Sequence, residues 1–280
     1  MSEKEWVPQS IDTNVPSIAR VYDFMIGGKD NFAVDRQVAK MALEIAPDGP
    51  QTARANRDFL QRAVRYLAAE AGIRQFLDIG SGLPTQGNVH EVAQQVAPWA
   101  HVVYVDNDPI VLAHSRAMLA NDGTTAVVQA DLREPEVILN SPESRALIDF
   151  NQPVGLLLFA ILHHLNDHED PTGIAARLID GLPVGSHVAI SHFHNPGAEH
   201  PELAAQAVAV EQLFNERLGT GRWRTRDEIL AYFGDLELLE PGLVPVPLWR
   251  PYEVDVEQVG RTLELTPIHY TFVGGVARKT

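Results

Sequence analysis

The sequence contains no cysteine, which excludes disulfide bonds, thiolate nucleophiles and cysteine-ligated zinc. Positive charge is scarce: 22 lysine and arginine residues stand against 37 aspartate and glutamate residues, giving a net charge of −15. Because nucleic acids and acidic membranes attract clustered basic side chains, we expect neither as a partner. Long apolar runs are missing too, since the longest, residues 153–162, is too short to cross a bilayer.

The N-terminus lacks the apolar segment of a signal peptide and instead carries the charged residues Glu3, Lys4 and Glu5. Hydrophobic residues make up 45% of the 280-residue chain and charged residues 21%, as in ordinary soluble globular proteins. We therefore expect a cytoplasmic protein with one large core, or with one core and a small accessory lobe.

A strand that leads into a glycine-rich turn is the feature around which the chain's chemistry can be organised. The apolar residues 73–79 precede Gly80-Ser81-Gly82, and a helical stretch follows over residues 87–96. Glycine lets the backbone turn tightly and approach a ligand, and the amides of the next helix can face its polar groups. The turn also fits a plain strand-to-helix connection, because no third glycine of a dinucleotide fingerprint follows. Asp78, just before the turn, favours a ligand with an amine over a pyrophosphate.

Beyond this turn, apolar strands alternate with amphipathic helices up to about residue 193. Continuous apolar character is typical of parallel strands that are covered on both faces, so the pattern predicts stacked βαβ units. The five expected parallel strands are residues 73–79, 101–106, 126–131, 154–159 and 187–193. Two helices follow, residues 201–218 and one opened by the capping box of Thr225 and Glu228, and then two closing strands, residues 236–239 and 268–276.

The first part of the chain is predicted to be helical. Ser17 can cap a short helix that the glycine pair Gly27-Gly28 ends, and two amphipathic helices follow over residues 35–45 and 52–71. We expect residues 1–72 to form an N-terminal arm and helical cap. Residues 73–280 would then form the sheet domain, with a helical insertion near residues 196–233.

Three carboxylates end the first three strands of the predicted sheet: Asp78, Asp106 and Asp131. Each alone also fits a helix or turn cap. Together they share one rim, where Asp106 and Asn107 suit a ribose diol, and Asp131 with Leu132 suits an adenine amine. A ligand with an adenosine and a cationic amino-acid end fits this rim better than a dinucleotide does.

Four motifs in this order resemble the motif set of class I S-adenosylmethionine-dependent methyltransferases. They are Leu77-Asp78-Ile79-Gly80-Ser81-Gly82, Val105-Asp106, Ala130-Asp131-Leu132 and Leu158-Phe159-Ala160-Ile161-Leu162-His163-His164-Leu165. The arm over residues 16–31, together with Gly80-Ser81-Gly82-Leu83-Pro84-Thr85, resembles a bacterial S-adenosyl methyltransferase family formerly classed as a domain of unknown function. The resemblance covers the chain from about residue 12 to its end.

The resemblance implies an α/β, Rossmann-like sheet of seven mostly parallel strands, the last antiparallel, with helices on both faces and the N-terminal arm as a lid. It implies S-adenosylmethionine as cofactor and S-adenosylhomocysteine as product. Pro84 departs from methyltransferases that have a third glycine there. We add Arg20 or Lys29 as partners of the cofactor carboxylate. The expected cofactor-binding residues are Arg20, Tyr22, Gly28, Lys29, Asp78, Gly80, Ser81, Gly82, Asp106, Asn107, Asp131, Leu132, Phe159 and Ala160.

Methyl transfer from a sulfonium needs alignment above all, and a base only if the acceptor must lose a proton. The candidate bases are His163, His164 and His192, together with His194, because histidine titrates near neutrality. Each also fits a hydrogen-bonded structural histidine. No Asn-Pro-Pro-Tyr run follows the fourth strand, which argues against amino methylation of bases or amides. We therefore favour O-methylation of a small molecule.

Two alternatives remain open. His192 and His194, with His200 downstream, could ligate a metal in a hydrolase, although the chain lacks a strong spacing such as His-Glu-x-x-His, and we expect no metal site. A protein that binds S-adenosylmethionine as a sensor would need no acceptor. A pocket between the arm and residues 193–225 would favour the enzyme, and a filled surface there would favour the sensor.

Overall fold

The computed structural model describes residues 12–84, 87–118, 123–251 and 265–280. The first eleven residues of the predicted arm and Thr85 of the predicted turn lie outside these ranges. The helices are α1 Ile18–Ile26, α2 Ala33–Ile45, α3 Gly49–Ala69, α4 Val89–Val96, α5 Pro109–Met118, α6 Pro135–Asn140, α7 Pro142–Leu147, α8 Pro171–Asp180, α9 Pro201–Leu218 and α10 Arg226–Leu230. The strands are β1 Gln75–Ile79, β2 His101–Asp106, β3 Thr125–Gln129, β4 Gly155–Phe159, β5 His187–Phe193, β6 Glu237–Leu238, β7 Val244–Pro245 and β8 Phe272–Arg278.

The strands form one sheet in the order β3-β2-β1-β4-β5-β8-β6, and β7 also pairs with β8. The first five strands of this order are mutually parallel, whereas β8 runs antiparallel to β5. The predicted Rossmann-like α/β fold with an antiparallel last strand is confirmed. Its strand number was wrong, because the described residues contain eight strands rather than seven.

The additional strand is β7, which lies between the two predicted closing strands. Val244 pairs with Gly274 and Pro245 with Val273 of β8. Two residues are too few to show the alternation by which a strand is recognised, and a proline argues against a central strand. The pairing therefore depends on the sheet edge that β8 presents, and the residues of β7 alone do not predict it.

Helices cover the sheet on both faces, and each face has its own hydrophobic cluster. Residues of α6 and α8 pack on one face against Leu77 and Ile79 of β1. Residues of α3 and α4 pack on the other face against Phe76. Every residue of β1 is buried, as the continuous apolar run predicts for a central parallel strand.

The helix ends follow the sequence with two exceptions. Gly27, at φ 89°, ends α1, and Thr225 with Glu228 forms the predicted capping box of α10. Ser17 precedes α1, but its hydroxyl makes no cap and instead donates to Asp108, 2.6 Å away. Helix α3 begins three residues earlier than predicted because Pro50 occupies its first turn, where proline is tolerated. In the described part of the chain, no helix is both long enough and apolar enough to cross a membrane.

Candidate functional site

The strand order reverses between β1 and β4, so the loops after these strands diverge and leave a crevice at the carboxyl ends. A cavity of about 340 Å³ lies at this edge. Because the sheet order is fixed, the residues that follow β3, β2 and β1 line one half of the cavity, and those that follow β4 and β5 or open β8 line the other. We call these the acidic half and the aromatic half, after the side chains described below.

The glycine-rich turn after β1 forms the middle of the cavity wall. Gly80 and Gly82 have φ angles of 71° and 67°, in the left-handed region that favours glycine. A Cβ atom on Gly80 would lie 2.4 Å from Cγ1 of Ile161, so the turn and the segment after β4 can approach only because Gly80 has no side chain. The backbone N–H of Gly82 donates to Oδ2 of Asp106 at 2.9 Å, which fixes the turn to the end of β2.

Asp106 and Asp131 lie in the acidic half, as predicted. Oδ1 of Asp106 accepts from the backbone N–H of Asp108 at 2.9 Å. Burial raises the pKa of Asp106 to about 6 against the opposing effect of its backbone hydrogen bonds. At Asp131 burial also acts to raise the pKa, but donors from Arg133 and Asn107 outweigh it and lower the pKa below its usual value.

Asp78 lines the cavity beside the turn and is 5% exposed. Burial raises its pKa to about 7; the positive charge of Arg57 opposes this shift and the negative charge of Asp106 adds to it. A buried carboxylate of raised pKa is stabilised in its charged form by a cationic ligand. Asp78 therefore has the chemistry expected for an ammonium partner.

Arg57 is a cavity residue that the sequence does not reveal. It lies on α3, lines the cavity and acts electrostatically on Asp78. In the sequence it is one of several arginines on the polar face of an amphipathic helix, and no motif distinguishes it from Arg54 or Arg65. Its position depends on how α3 packs over the sheet.

Helix α1 covers the cavity, where the sequence predicts a lid, and Tyr22 is one of its lining residues. The Tyr22 hydroxyl donates to the Ala53 carbonyl at 3.0 Å and accepts from Nδ2 of Asn56 at 3.1 Å. These bonds attach α1 to α3. Oδ1 of Asn56 and Oγ1 of Thr52, both buried in the same wall, have no hydrogen-bond partner among the described residues.

Arg20, Gly28 and Lys29, which the sequence predicts to bind the cofactor, are not among the described residues that line the cavity. The Arg20 guanidinium is 3% exposed and pairs with Asp35 at 3.0 Å, so it faces the interior of the arm. Gly28 packs against Asp23, whose Oδ1 would lie 1.9 Å from a Cβ atom at that position. The structure therefore gives Arg20 and Gly28 places within the arm itself.

Phe159 ends β4, and both it and the next residue, Ala160, line the cavity together with Leu132 and Asn107. Ala160 has a φ of 52°, unusual for a residue with a side chain, and its N–H donates to the carbonyl of Ser191 at 3.1 Å. Backbone strain of this kind persists only where the surrounding structure imposes it, and it concentrates at functional sites.

Three of the four candidate histidines, His163, His164 and His192, are buried, but only His163 and His164 line the cavity. Nδ1 of His163 accepts from the Phe193 N–H at 3.1 Å. Burial lowers the pKa of His163 well below its usual value, and lowers that of His164 and His192 to about 3. The expectation that they titrate near neutrality was therefore wrong, because it could not account for burial.

His192 has a structural environment. Its Nδ1 lies 2.6 Å from the Phe193 carbonyl and therefore carries the proton, which leaves Nε2 to accept from Arg224 at 3.3 Å. His194 lies 2.6 Å from the Tyr270 carbonyl through its Nδ1. Within the described ranges, no group of three or more acidic or histidine side chains has the arrangement of a metal site.

The model of a protein family described as S-adenosyl methyltransferase matches residues 4–280. A candidate methyltransferase from Thermobifida fusca YX has a similar solved structure, with 44% identity, a TM-score of 0.89, and coverage of 98% of this chain and 99% of that chain. For a DUF574 family protein from Streptomyces avermitilis MA-4680, the corresponding values are 42%, 0.88, 96% and 99%. No curated protein matches the chain.

An O-methyltransferase family protein from Burkholderia thailandensis shares the fold, with a TM-score of 0.51 at 14% identity, over 85% of this chain and 62% of that chain. The two more similar structures align with this chain over almost their full lengths. With the family model matching nearly every residue, the chain belongs to the S-adenosyl methyltransferase family, in which S-adenosylmethionine is the methyl donor.

Proposed function

We propose that this protein transfers the methyl group of S-adenosylmethionine to an oxygen atom of a small-molecule acceptor. The observation that carries the proposal is that the cavity does not end at the strand-end carboxylates. It continues into the aromatic half, between the N-terminal helices and residues 193–223. A protein that only sensed the cofactor would need no second compartment, whereas a transferase must hold an acceptor beside its methyl donor.

The lining fits S-adenosylmethionine, which carries a sulfonium, an ammonium, a carboxylate and a ribose diol. Three aspartates, Asp78, Asp106 and Asp131, offer acceptors for hydroxyl and amine groups. Oγ1 of Thr52 and Oδ1 of Asn56 are buried without a partner, as expected of groups whose partner is a ligand. Gly80 and Gly82 leave the backbone of the turn open to close approach.

In this proposal each strand end binds one part of the cofactor. Asp106, assisted by Asn107, accepts from the ribose hydroxyls, and Asp131 with Leu132 borders the adenine. The amino-acid end lies over the turn from Gly80 to Gly82, where Asp78 accepts from the ammonium and Ala160 offers its carbonyl. Arg57, rather than Arg20 or Lys29, faces the carboxylate.

When bound, the cofactor supplies an electrophilic methyl group whose carbon–sulfur bond breaks as the acceptor oxygen bonds to carbon, leaving neutral S-adenosylhomocysteine. The protein aligns the acceptor beneath the cover of α1. Nδ1 of His164 is buried, lines the cavity and has no partner among the described residues, so it can accept from an acceptor hydroxyl and orient it. With its pKa at about 3, His164 is too weak a base to keep the proton, which passes to water.

Filling the aromatic half tests the enzyme against the sensor. Ala207 of α9 is buried and lines the cavity, whereas Ala205 of the same helix is exposed. We expect Ala207→Leu to leave cofactor affinity unchanged but to lower methyl transfer into a bacterial small-molecule extract, with Ala205→Leu as the matched control. Transfer is followed with methyl-labelled cofactor. Cofactor binding without transfer by the unaltered protein would reject the enzyme and favour the sensor.

A further inference from the structure

The aromatic half of the cavity contains a stack of parallel rings. The centroids of His163 and Phe193 lie 3.6 Å apart with 11° between their planes, and those of Phe193 and Trp223 lie 4.0 Å apart with 6° between their planes. Phe214 meets Trp223 nearly edge-on at 5.7 Å. All four rings line the cavity. Rings held in this way offer flat faces and edges that pack best against another planar ring.

The other walls of this half are aliphatic. Val210 and Phe214 of α9 pack against Ala42 of α2 and Met25 of α1 in one cluster, so the N-terminal helices and α9 enclose the space together. The opening residue of β8, Phe272, closes the side next to β5. An enclosed apolar space favours an occupant that loses little hydration on entry.

Charge is confined to the other half. The two cavity-lining arginines, Arg57 and Arg133, lie beside Asp78 and Asp131. Asp23 of α1 accepts from Asn31 at 2.7 Å and lies within electrostatic range of His114 on α5, on the side of the acidic half. Among the described residues, none that lines the cavity from α2, α9, β5 or β8 is charged.

The polar atoms of the aromatic half are mostly satisfied within the protein. The Thr220 hydroxyl donates to the His164 carbonyl at 2.6 Å, and the Thr271 hydroxyl donates to the Ile268 carbonyl at 2.7 Å. Nδ1 of His163 is engaged by the Phe193 N–H. Among the described residues, the side chains of this half that remain for a ligand include Nδ1 of His164, the amide of Gln206 and the indole N–H of Trp223, so an occupant can place a few polar groups here.

We infer that the methyl acceptor is a planar, uncharged aromatic molecule with few polar groups, which packs against the ring stack of His163, Phe193 and Trp223. This inference rests on the proposed methyltransferase function, because it assigns the aromatic half to the acceptor. Among the described residues no cation lines this half. The positive charges that act on its histidines are Arg133, which lies in the acidic half, and Arg224, which is paired with Asp167, so a carboxylate or phosphate here would lose its hydration without a direct cationic partner. A saturated ring system would lose the ring-to-ring contact.

The test measures binding of three matched probes to protein saturated with S-adenosylhomocysteine, by isothermal titration calorimetry. 1-Naphthol is planar and uncharged at neutral pH, 1-naphthoate keeps the ring but carries a charge, and decahydro-1-naphthol keeps the carbon skeleton but is not planar. We expect 1-naphthol to bind about tenfold or more tightly than either. Tenfold corresponds to about 1.4 kcal/mol, which is in the upper part of the range for a good aromatic contact, and an unpaired buried charge costs more.

Trp223 provides the matched variants. Trp223→Leu should weaken 1-naphthol binding about tenfold, whereas Trp223→Phe, which retains a ring, should recover most of the affinity. Trp99→Leu, at a tryptophan that is 66% exposed and outside the cavity, should change nothing. S-adenosylhomocysteine affinity should stay the same in all three variants, which also shows that each is folded.

The possible failures are distinguishable. If S-adenosylhomocysteine binds but 1-naphthol shows no preference over the other probes, or no binding, the inference about the acceptor is overturned while the cofactor site stands. If 1-naphthol binds equally well to Trp223→Leu, the ring stack is not its site and the inference again fails. If S-adenosylhomocysteine itself does not bind, the proposed function fails, and the inference fails with it.

Discussion

Asp78 shows at the scale of a single residue how a binding site opposes stability. Its pKa is raised from 3.8 to about 7 by burial, so the folded protein binds the proton more tightly than the unfolded chain. The stability that Asp78 contributes is therefore present below about pH 4 and is lost as the pH rises through about 7. A cationic ligand reverses this effect, since it favours the carboxylate.

The first prediction follows from this sign. Above pH 7, the free energy of unfolding of Asp78→Asn should exceed that of the unaltered protein by up to about 4 kcal/mol. The difference should disappear toward pH 4. The same variant should bind S-adenosylmethionine more weakly. Urea denaturation over this pH range, with calorimetry for the ligand, measures both. A variant that is less stable at pH 8 would contradict the account.

The second prediction concerns the pH dependence of binding by the unaltered protein. Affinity for S-adenosylmethionine should rise as the pH increases through about 7, because Asp78 must lose its proton to pair with the ammonium. Methylthioadenosine lacks the amino-acid end, so its affinity should be nearly constant over about pH 7 to 8. Equal pH dependence of the two ligands would remove Asp78 from the site.

The third prediction compares the two glycines of the turn. Gly80→Ala combines a left-handed backbone with a contact of 2.4 Å to Ile161, whereas Gly82→Ala has the same backbone but nothing within 4 Å. We expect Gly82→Ala to lower the free energy of unfolding by about 1 kcal/mol and Gly80→Ala by clearly more. Urea denaturation measures the pair, and equal losses would show that the turn can move away from Ile161.

The acids and glycines of the site were predictable because each lies where an apolar run ends, and a run of this kind is a local signal. Arg57 was not, since its proximity to Asp78 arises from the packing of α3 across the sheet. The pKa values of His163 and His164 are lowered by burial under segments distant in the sequence. The sequence alone predicts an ordinary histidine pKa, so the expected titration near neutrality was wrong.

At the scale of elements, the N-terminal arm is held together by one buried acid. Asp35 is fully buried, accepts from the backbone N–H groups of Ser17 and Phe32 at 2.9 and 2.8 Å, and pairs with Arg20. It thereby joins the start of α2 to both ends of the segment that contains α1. The cover of the cavity depends on this carboxylate as well as on the Tyr22 bonds that attach α1 to α3.

The fourth prediction tests this dependence. Asp35→Ala leaves the buried Arg20 charge unpaired and should destabilise the arm by about 3–5 kcal/mol. Hydrogen exchange should therefore accelerate in α1 and α2 but not in β1 or β4, and cofactor affinity should fall. Asp12→Ala is the control, since Asp12 is exposed and its hydrogen bonds within the described part of the chain are to Asn14. Unchanged exchange in α1 would show that other contacts hold the arm.

Most helices and strands could be predicted from the sequence, because the apolar pattern that identifies each one lies within its own residues. The helix over α9 and the strand β5 have the predicted bounds, and the capping box of α10 is present. Ser17 was misread, since a serine before a helix usually caps it and here its hydroxyl meets Asp108 from a distant loop. Strand β7 was missed for the same reason: its partner is supplied by the fold.

At the scale of the whole molecule, the sheet order places the two halves of the cavity side by side. The strands that end in acids are neighbours, β3, β2 and β1, and the aromatic residues follow or open β5 and β8 across the switch point. In the proposed function, a cationic donor and an apolar acceptor thus lie at the ends of adjoining strands. The acidic half could be predicted from the sequence, because its carboxylates end predicted strands. The aromatic half could not, because it forms only where α2 and α9 enclose it.

The most direct test of the account is calorimetric titration with S-adenosylmethionine, S-adenosylhomocysteine and NAD, on the unaltered protein and on Asp106→Ala. We predict micromolar binding of the first two ligands, none of NAD, and loss of binding in the variant, because Asp106 provides the ribose acceptor at the end of β2. Binding of NAD, or unchanged affinity of Asp106→Ala for S-adenosylmethionine, would contradict the central claim that the strand-end carboxylates form the cofactor site.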